Sequence, residues 1–247
     1  KETMISNLKV DQHTLQIDDL TGTKPTEKID LSGKGLGVAS AIIIASCIKG
    51  NGVLKELNIG GNYIGAEGAS ALAAILKETQ ITNLKLGSNE LGPEGGSALA
   101  EGLKGNSTLQ VLDLDGNNIG VEGASTLASV LKETQIKHLG VDGDALQIDE
   151  LTGTKQTEKI DLSGKGLCAR LGVASAIIIA NCIKGNGVLK ELNLGGNNLT
   201  EDGKAMSGLL QLVEVLPQTK IQSLDLAKTA LCGINYWGDG TYTTEGI

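Results

Sequence analysis

The chain has 247 residues, a formal net charge of −8 and a pI near 4.9. That balance argues against nucleic acid and anionic membranes as partners, because both carry the same sign as the protein. Hydrophobic residues make up 40% and charged residues 20%, which excludes a disordered chain, and aromatics are 2% with no Phe, so alanine and short aliphatics must fill the core.

Taken in order, pairs of apolar residues separated by one position mark nine strand cores. They are Leu8–Val10, Ile29–Leu31, Leu57–Ile59, Leu84–Leu86, Leu112–Leu114, Leu139–Val141, Ile160–Leu162, Leu192–Leu194 and Leu224–Leu226. Their spacings are 21, 28, 27, 28, 27, 21, 32 and 32 residues. Period two sends each pair to one face and its neighbours to the other. The first unit, from Leu8, lacks a helical stripe, and Thr21-Gly22-Thr23 and Pro25 predict an extended or turn-like outer segment. Ala39 to Cys47 reads as a buried helix, too short to span a membrane.

The unit Leu54–Ile81 holds the whole pattern: a strand at Leu57–Ile59, a turn at Gly60-Gly61-Asn62, then Ala69, Leu72, Ala73, Ile75 and Leu76 at helical spacing. Neither half buries its apolar side alone, so stacked units are expected to form a parallel sheet backed by helices. Asn62, Asn89, Asn117 and Asn197 recur after their strands, where an amide suits backbone groups of its own and the next turn. At Leu139 the short unit returns: LQIDELTGTKQTEKIDLSGKG repeats LQIDDLTGTKPTEKIDLSGKG, and residues 7–62 resemble 138–197. The second copy gains Leu167-Cys168-Ala169-Arg170, expected to bulge at a turn. A helix Glu201 to Leu216 should stop at Pro217. The last unit carries CGINYWGDGTY, with Tyr236, Trp237 and Tyr242, before Thr244-Glu245-Gly246 resumes the repeat. Beginning mid-repeat without Met and stopping where a helix should start, the sequence reads as a piece of a longer chain, one solenoid over 1–247 with about nine strands.

The pattern L-x-x-L-x-L-x-x-N-x-I/L-G-x-E-G-A-x-x-L-A-x-x-L is matched nearly letter for letter at Leu54–Leu76, Ile81–Leu103 and Leu109–Leu131. It resembles the ribonuclease-inhibitor-like leucine-rich repeat family. The resemblance implies an α/β solenoid, a horseshoe with a parallel sheet on the concave face and helices on the convex face, and a binding role. Relatives of this repeat type include enzyme inhibitors and small-GTPase activators, which makes a regulator of an enzyme one alternative reading. A structural spacer, self-associating through uncapped solenoid ends, is another.

No constellation carries catalysis. Gly33-Lys34-Gly35-Leu36-Gly37 follows a strand, but Val38 stands where the dinucleotide fingerprint needs its third Gly, and G-K-[ST] is missing. His13 and His138 lie in different repeats at non-equivalent positions, without ligands at metal or triad spacing. No cofactor, metal or catalytic residue is expected. Cys47 and Cys182 occupy equivalent helix positions as small buried residues, and the four cysteines form no C-x-x-C pair, which favours an intracellular, cytoplasmic setting. The sequons at Asn106 and Asn198 fall in repeat positions and read as coincidental.

Residues flanking the strand cores should line the concave face in rows. Lys28, Asp30, Glu56, Asn58, Lys85, Asp113, Asp115, His138, Asp142, Asp161, Glu191, Asn193 and Asp225 are the candidate contacts. This polar, acid-leaning face predicts a protein partner with basic residues, with Tyr236 and Trp237 as a separate aromatic anchor.

Overall fold

Three-residue strands with one apolar centre, Lys-Ile-Asp, Glu-Leu-Asn, Asn-Leu-Lys and Val-Leu-Asp, set the architecture. In the computed structural model, which describes residues 5–164 and 171–229, each buries that centre and turns its flanks outward. The chain divides into two compact units, Lys1–Ile119 with Glu133–Ile136, and Gly120–Lys132 with Lys137–Ile247.

In the first unit the order is β1 (Asn7–Val10), β2 (His13–Gln16), α1 (Ile17–Thr21), β3 (Lys28–Asp30), α2 (Val38–Ile48), β4 (Glu56–Asn58), α3 (Gly65–Ile75), β5 (Asn83–Lys85), α4 (Gly92–Leu103) and β6 (Val111–Asp113). Strands β3 to β6 form a parallel ladder with Ile29 opposite Leu57, Leu57 opposite Leu84 and Leu84 opposite Leu112. The helices α2, α3 and α4 pack in succession. Alanine and glycine set their closeness: a Cβ on Gly102 would lie 2.5 Å from the Ala73 carbonyl, and one on Gly68 would lie 2.8 Å from the Ala41 methyl. Between sheet and helices lie Ile44, Leu57, Ile59, Leu72, Leu84 and Leu99, each at most 1% exposed.

The second unit holds α5 (Gly120–Leu131), β7 (His138–Val141), β8 (Asp144–Gln147), α6 (Ile148–Leu151), β9 (Lys159–Asp161), α7 (Val173–Ile183), β10 (Glu191–Asn193), α8 (Ser207–Val215) and β11 (Ser223–Asp225). Strands β9, β10 and β11 are parallel and in register. Helix α7 packs between α5 and α8 and is buried on nearly every side.

All nine predicted strand cores overlap strands, seven of them with the second apolar residue one position past the strand end, but the described residues contain eleven strands. The short units are antiparallel hairpins, β1 with β2 and β7 with β8, each followed by a brief helix rather than an extended segment. One continuous parallel sheet is therefore not formed: β1 and β2 make their own two-stranded sheet. Two-residue turns explain this. Asp11 has φ +53°, and Asp142-Gly143 have +57° and +85°, the left-handed geometry of tight hairpins. The Val-Asp-Gly run was the readable signal.

Helix α8 starts at Ser207, not Glu201, because Glu201, Asp202 and Gly203 have φ of +47°, +57° and +83°. Pro217 sits in a 3-10 turn, Leu216–Gln218, that closes it. The expectations for Leu167–Arg170, Cys168, Cys232, Tyr236 and Trp237 lie outside the described residues.

Candidate functional site

The sheet presents its candidate contacts in rows, described unit by unit. In the first, Asp30, Asn58, Lys85 and Asp113 share one row by register, and Lys28, Glu56, Asn83 and Val111 another. In the second, Asp161, Asn193 and Asp225 form the matching row, beside Lys159, Glu191 and Ser223. All are exposed or half-exposed.

The charges largely answer one another. Glu56 lies 3.0 Å from Lys28 and 3.4 Å from Lys85, so one carboxylate serves two ammonium groups on neighbouring strands. The Lys28 hydrogen bond holds the Glu56 carboxyl below its usual range. Lys159 and Glu191 pair at 2.9 Å, and that hydrogen bond raises the lysine. Such exposed pairs contribute little to stability, but they fix where charge is displayed.

The middle row also has a structural task. Its carboxylate or amide oxygen accepts the backbone N–H two residues ahead: Ser32 to Asp30, Gly60 to Asn58, Asp115 to Asp113, Ser163 to Asp161, Gly195 to Asn193 and Ala227 to Asp225, all at 2.8–3.0 Å. This is the Asx turn, which ends β3, β4, β6, β9, β10 and β11; β5 ends at Lys85, which cannot form one. At Asp30 the Ser32 hydroxyl adds a second bond and depresses the carboxyl. The acid-leaning row is thus partly turn chemistry, which a reading of charge alone does not show.

Asp142 departs from the expected face. Its Oδ2 accepts the N–H groups of Gly172 and Ser175 at 3.1 and 2.9 Å and the Ser175 hydroxyl at 2.8 Å, so it caps the start of α7. Asp11, in the equivalent hairpin turn, does the same for α2 through the Gly37 N–H and the Ser40 hydroxyl. These two bonds, the hydroxyl first, depress the Asp11 carboxyl. Both helices otherwise begin with a glycine that offers no capping side chain. His138 is half-buried on β7 and His13 on β2.

The turn asparagines reach backward, to the preceding repeat rather than the next. Asn62 Nδ2 donates to Leu31 and Ile59 carbonyls at 2.9 and 2.7 Å, while its Oδ1 accepts from Lys34 and Leu36. The direction follows from Nδ2 spanning two successive strand ends. A second series, Asn51, Asn106 and Asn186, went unread in the sequence. Each donates to a carbonyl near the end of the preceding repeat's helix (Leu20, Leu76, Leu151) at 2.8–2.9 Å. Its signal was the recurring Lys-Gly-Asn. Asn106 is 6% exposed with its amide engaged, which leaves that sequon no room for a glycan.

Cys182 is fully buried and its thiol is pushed up to about 12; Cys47 is only half-buried, so the pair is not equally enclosed. Among the described residues no three His, Cys, Asp or Glu side chains converge as a metal site, and no helix is long and apolar enough to cross a membrane.

A family model described as Leucine Rich repeat matches residues 50–73, 79–100 and 105–128. No curated protein matches the sequence. Among solved structures, Leiomodin-1 Actin-Binding Site 2 (ABS2) is similar at 22% identity and a TM-score of 0.48, over 51% of this chain and 76% of that one. The chain therefore carries leucine-rich repeats, and its alternating strands and helices make it an α/β leucine-rich-repeat solenoid.

Proposed function

We propose that this chain is a non-enzymatic protein-interaction module that docks a partner on the open face of its sheet. One observation carries the reading. The apolar centres of β3 to β6, β9 and β10 are buried in the core, while their outward flanks, Val111 apart, repeat polar and charged groups at a fixed strand step. Strand spacing near 4.8 Å makes such rows a rigid template. The partner presents basic residues to Asp30, Asp113, Asp161 and Asp225; in the ladders Asp30 stands opposite Asn58, Asp161 and Asp225 flank Asn193, and Asp113 faces Lys85. An intracellular setting suits the unpaired Cys47 and Cys182 thiols.

The test is affinity capture with the native chain and with Asp30, Asp113, Asp161 and Asp225 all changed to Asn. Asparagine keeps the acceptor of each Asx turn and removes the charge. A basic protein held by the first and lost by the second supports the reading; equal capture by both removes the sheet face from it.

A second reading, self-association, has its own observation. Leu210 and Val213 on α8 are 63% and 51% exposed, whereas Ala73 and Ala128, at the position of Val213 in α3 and α5, are 5% and 1% exposed. Light scattering that shows a monomer at high concentration excludes it.

A further inference from the structure

Helices α2 and α7 carry nearly the same text, VASAIIIASCI and VASAIIIANCI, differing only at Ser46 and Asn181. Their surroundings are not the same. Helix α2 packs on α1 and α3; α7 packs on the counterparts α6 and α8, and on α5 as well. Among the described residues α5 has no counterpart against α2.

Identical side chains record the difference. Ile42 is 48% exposed, whereas Ile177, its equal in α7, is 0% exposed. Ala39 is exposed and Ile43 and Cys47 are half-buried, while Ala174, Ile178 and Cys182 are buried. Positions 39, 43 and 47 lie one turn apart with 42 beside them, so they form one apolar stripe. The same residues are core in α7, which makes the stripe on α2 a packing surface.

The second unit also shows what fits such a stripe. Ala69 and Ala73 lie on the side of α3 that approaches Gly95 and Gly102 of the next helix. Ala124 and Ala128 hold those places in α5, both buried, so α5 turns methyl groups toward α7 and leaves space for isoleucine. A polar anchor completes the contact. Lys132, one residue past α5, donates from Nζ to the Lys184 carbonyl at 2.6 Å, at the C-terminal end of α7, where a cation is favoured. Lys49 holds the same place at the end of α2. Helix α8, whose Leu210 and Val213 are exposed, carries Leu209 and Val213 in the places of Ala124 and Ala128. A second copy of this chain therefore does not reproduce the fit.

We propose that the open side of α2 docks the terminal helix of another leucine-rich-repeat protein, a helix of the α5 kind with two alanines toward Ile43 and Cys47 and a lysine just past its end for the Lys49 carbonyl. This surface is separate from the sheet face and from α8, so it holds or fails independently of both readings above.

The probe is a capped peptide of residues 118–134, held helical by a lactam from Glu122 to Thr126→Lys on its outer side. The readout is alkylation of Cys47 by N-ethylmaleimide in the full, dilute chain, followed by peptide mass spectrometry, with Cys182 as the enclosed reference. At about ten times its Kd the peptide slows Cys47 alkylation by about tenfold. Ala128→Glu in the peptide abolishes the effect and Lys132→Ala weakens it. Ile42→Asp in the chain, at an exposed position, abolishes it too. An unchanged Cys47 rate at about 1 mM peptide, or equal slowing by the Ala128→Glu peptide, overturns the proposal. So does slowing that follows the concentration of the chain and not of the peptide, which would place a second copy on α2.

Discussion

The backbone N–H of Asn89 donates to Oδ1 of Asn117 at 2.8 Å, so the two turn asparagines are chained across adjacent repeats. Asn89 in turn donates its amide to the Ile59 and Leu86 carbonyls at 2.9 Å each, at 0% exposure. Asn89→Ala removes both bonds from a site no water reaches, and costs about 2–3 kcal/mol. Asn89→Asp costs more, because it replaces a buried donor with a charge. Urea unfolding of the two variants checks the order.

Asp142 and Asp11 hold helix starts that have no side-chain cap of their own. Asp142→Ala destabilises by about 1 kcal/mol, the usual worth of a lost cap. For Asp11 the sign with pH is set by a folded carboxyl depressed below 3.8. The unfolded chain binds the proton more readily, so the contribution is present above that value and is lost as pH falls through the folded one. Stability curves for native and Asp11→Asn chains should converge in acid and separate toward neutrality.

Gly102 faces the Ala73 backbone so closely that an added Cβ lies 2.5 Å from its carbonyl oxygen. Alanine favours a helix by about 1 kcal/mol over glycine, yet Gly102→Ala destabilises by about 1–3 kcal/mol, because overpacking forces α3 and α4 apart. A melting temperature that rises on this substitution contradicts the packing described.

Burial raises the Cys182 thiol to about 12, which leaves almost no thiolate at neutral pH. Iodoacetamide should leave Cys182 unmodified in the native chain and label it at the urea midpoint of the unit that contains α7, as read by peptide mass spectrometry. Rapid native labelling contradicts its enclosure.

The Asx turns separate charge from structure. Asp225→Asn keeps the acceptor for the Ala227 N–H and changes stability by no more than about 0.5 kcal/mol, while Asp225→Ala loses the 2.8 Å bond and costs about 1 kcal/mol. Thermal melts of the two single variants distinguish them.

Strands and helices were legible because one apolar residue in each strand and a stripe in each helix repeat with the stacking. Leu57, Leu84 and Leu112 stand opposite one another in the ladder as their spacing requires. The hairpins were less so: β2 and β8 carry only Leu15 and Leu146 as fully buried residues, too short a run for alternation to show. Charge on the sheet face was readable as letters, but its meaning was not. Asp30 and Asp142 look alike in sequence, yet one ends a strand and the other caps a helix 30 residues away. That difference comes from which turn each occupies, and only the folded backbone sets it.

The central claim, that partners dock on the open sheet face, is tested most directly by carboxylate footprinting of the chain with a captured basic partner. The account predicts that Asp30, Glu191 and Asp225 lose reactivity on binding, while the exposed helix residues Glu67, Glu94 and Glu122 keep theirs. Protection of the helix carboxylates with the sheet residues unchanged would contradict it.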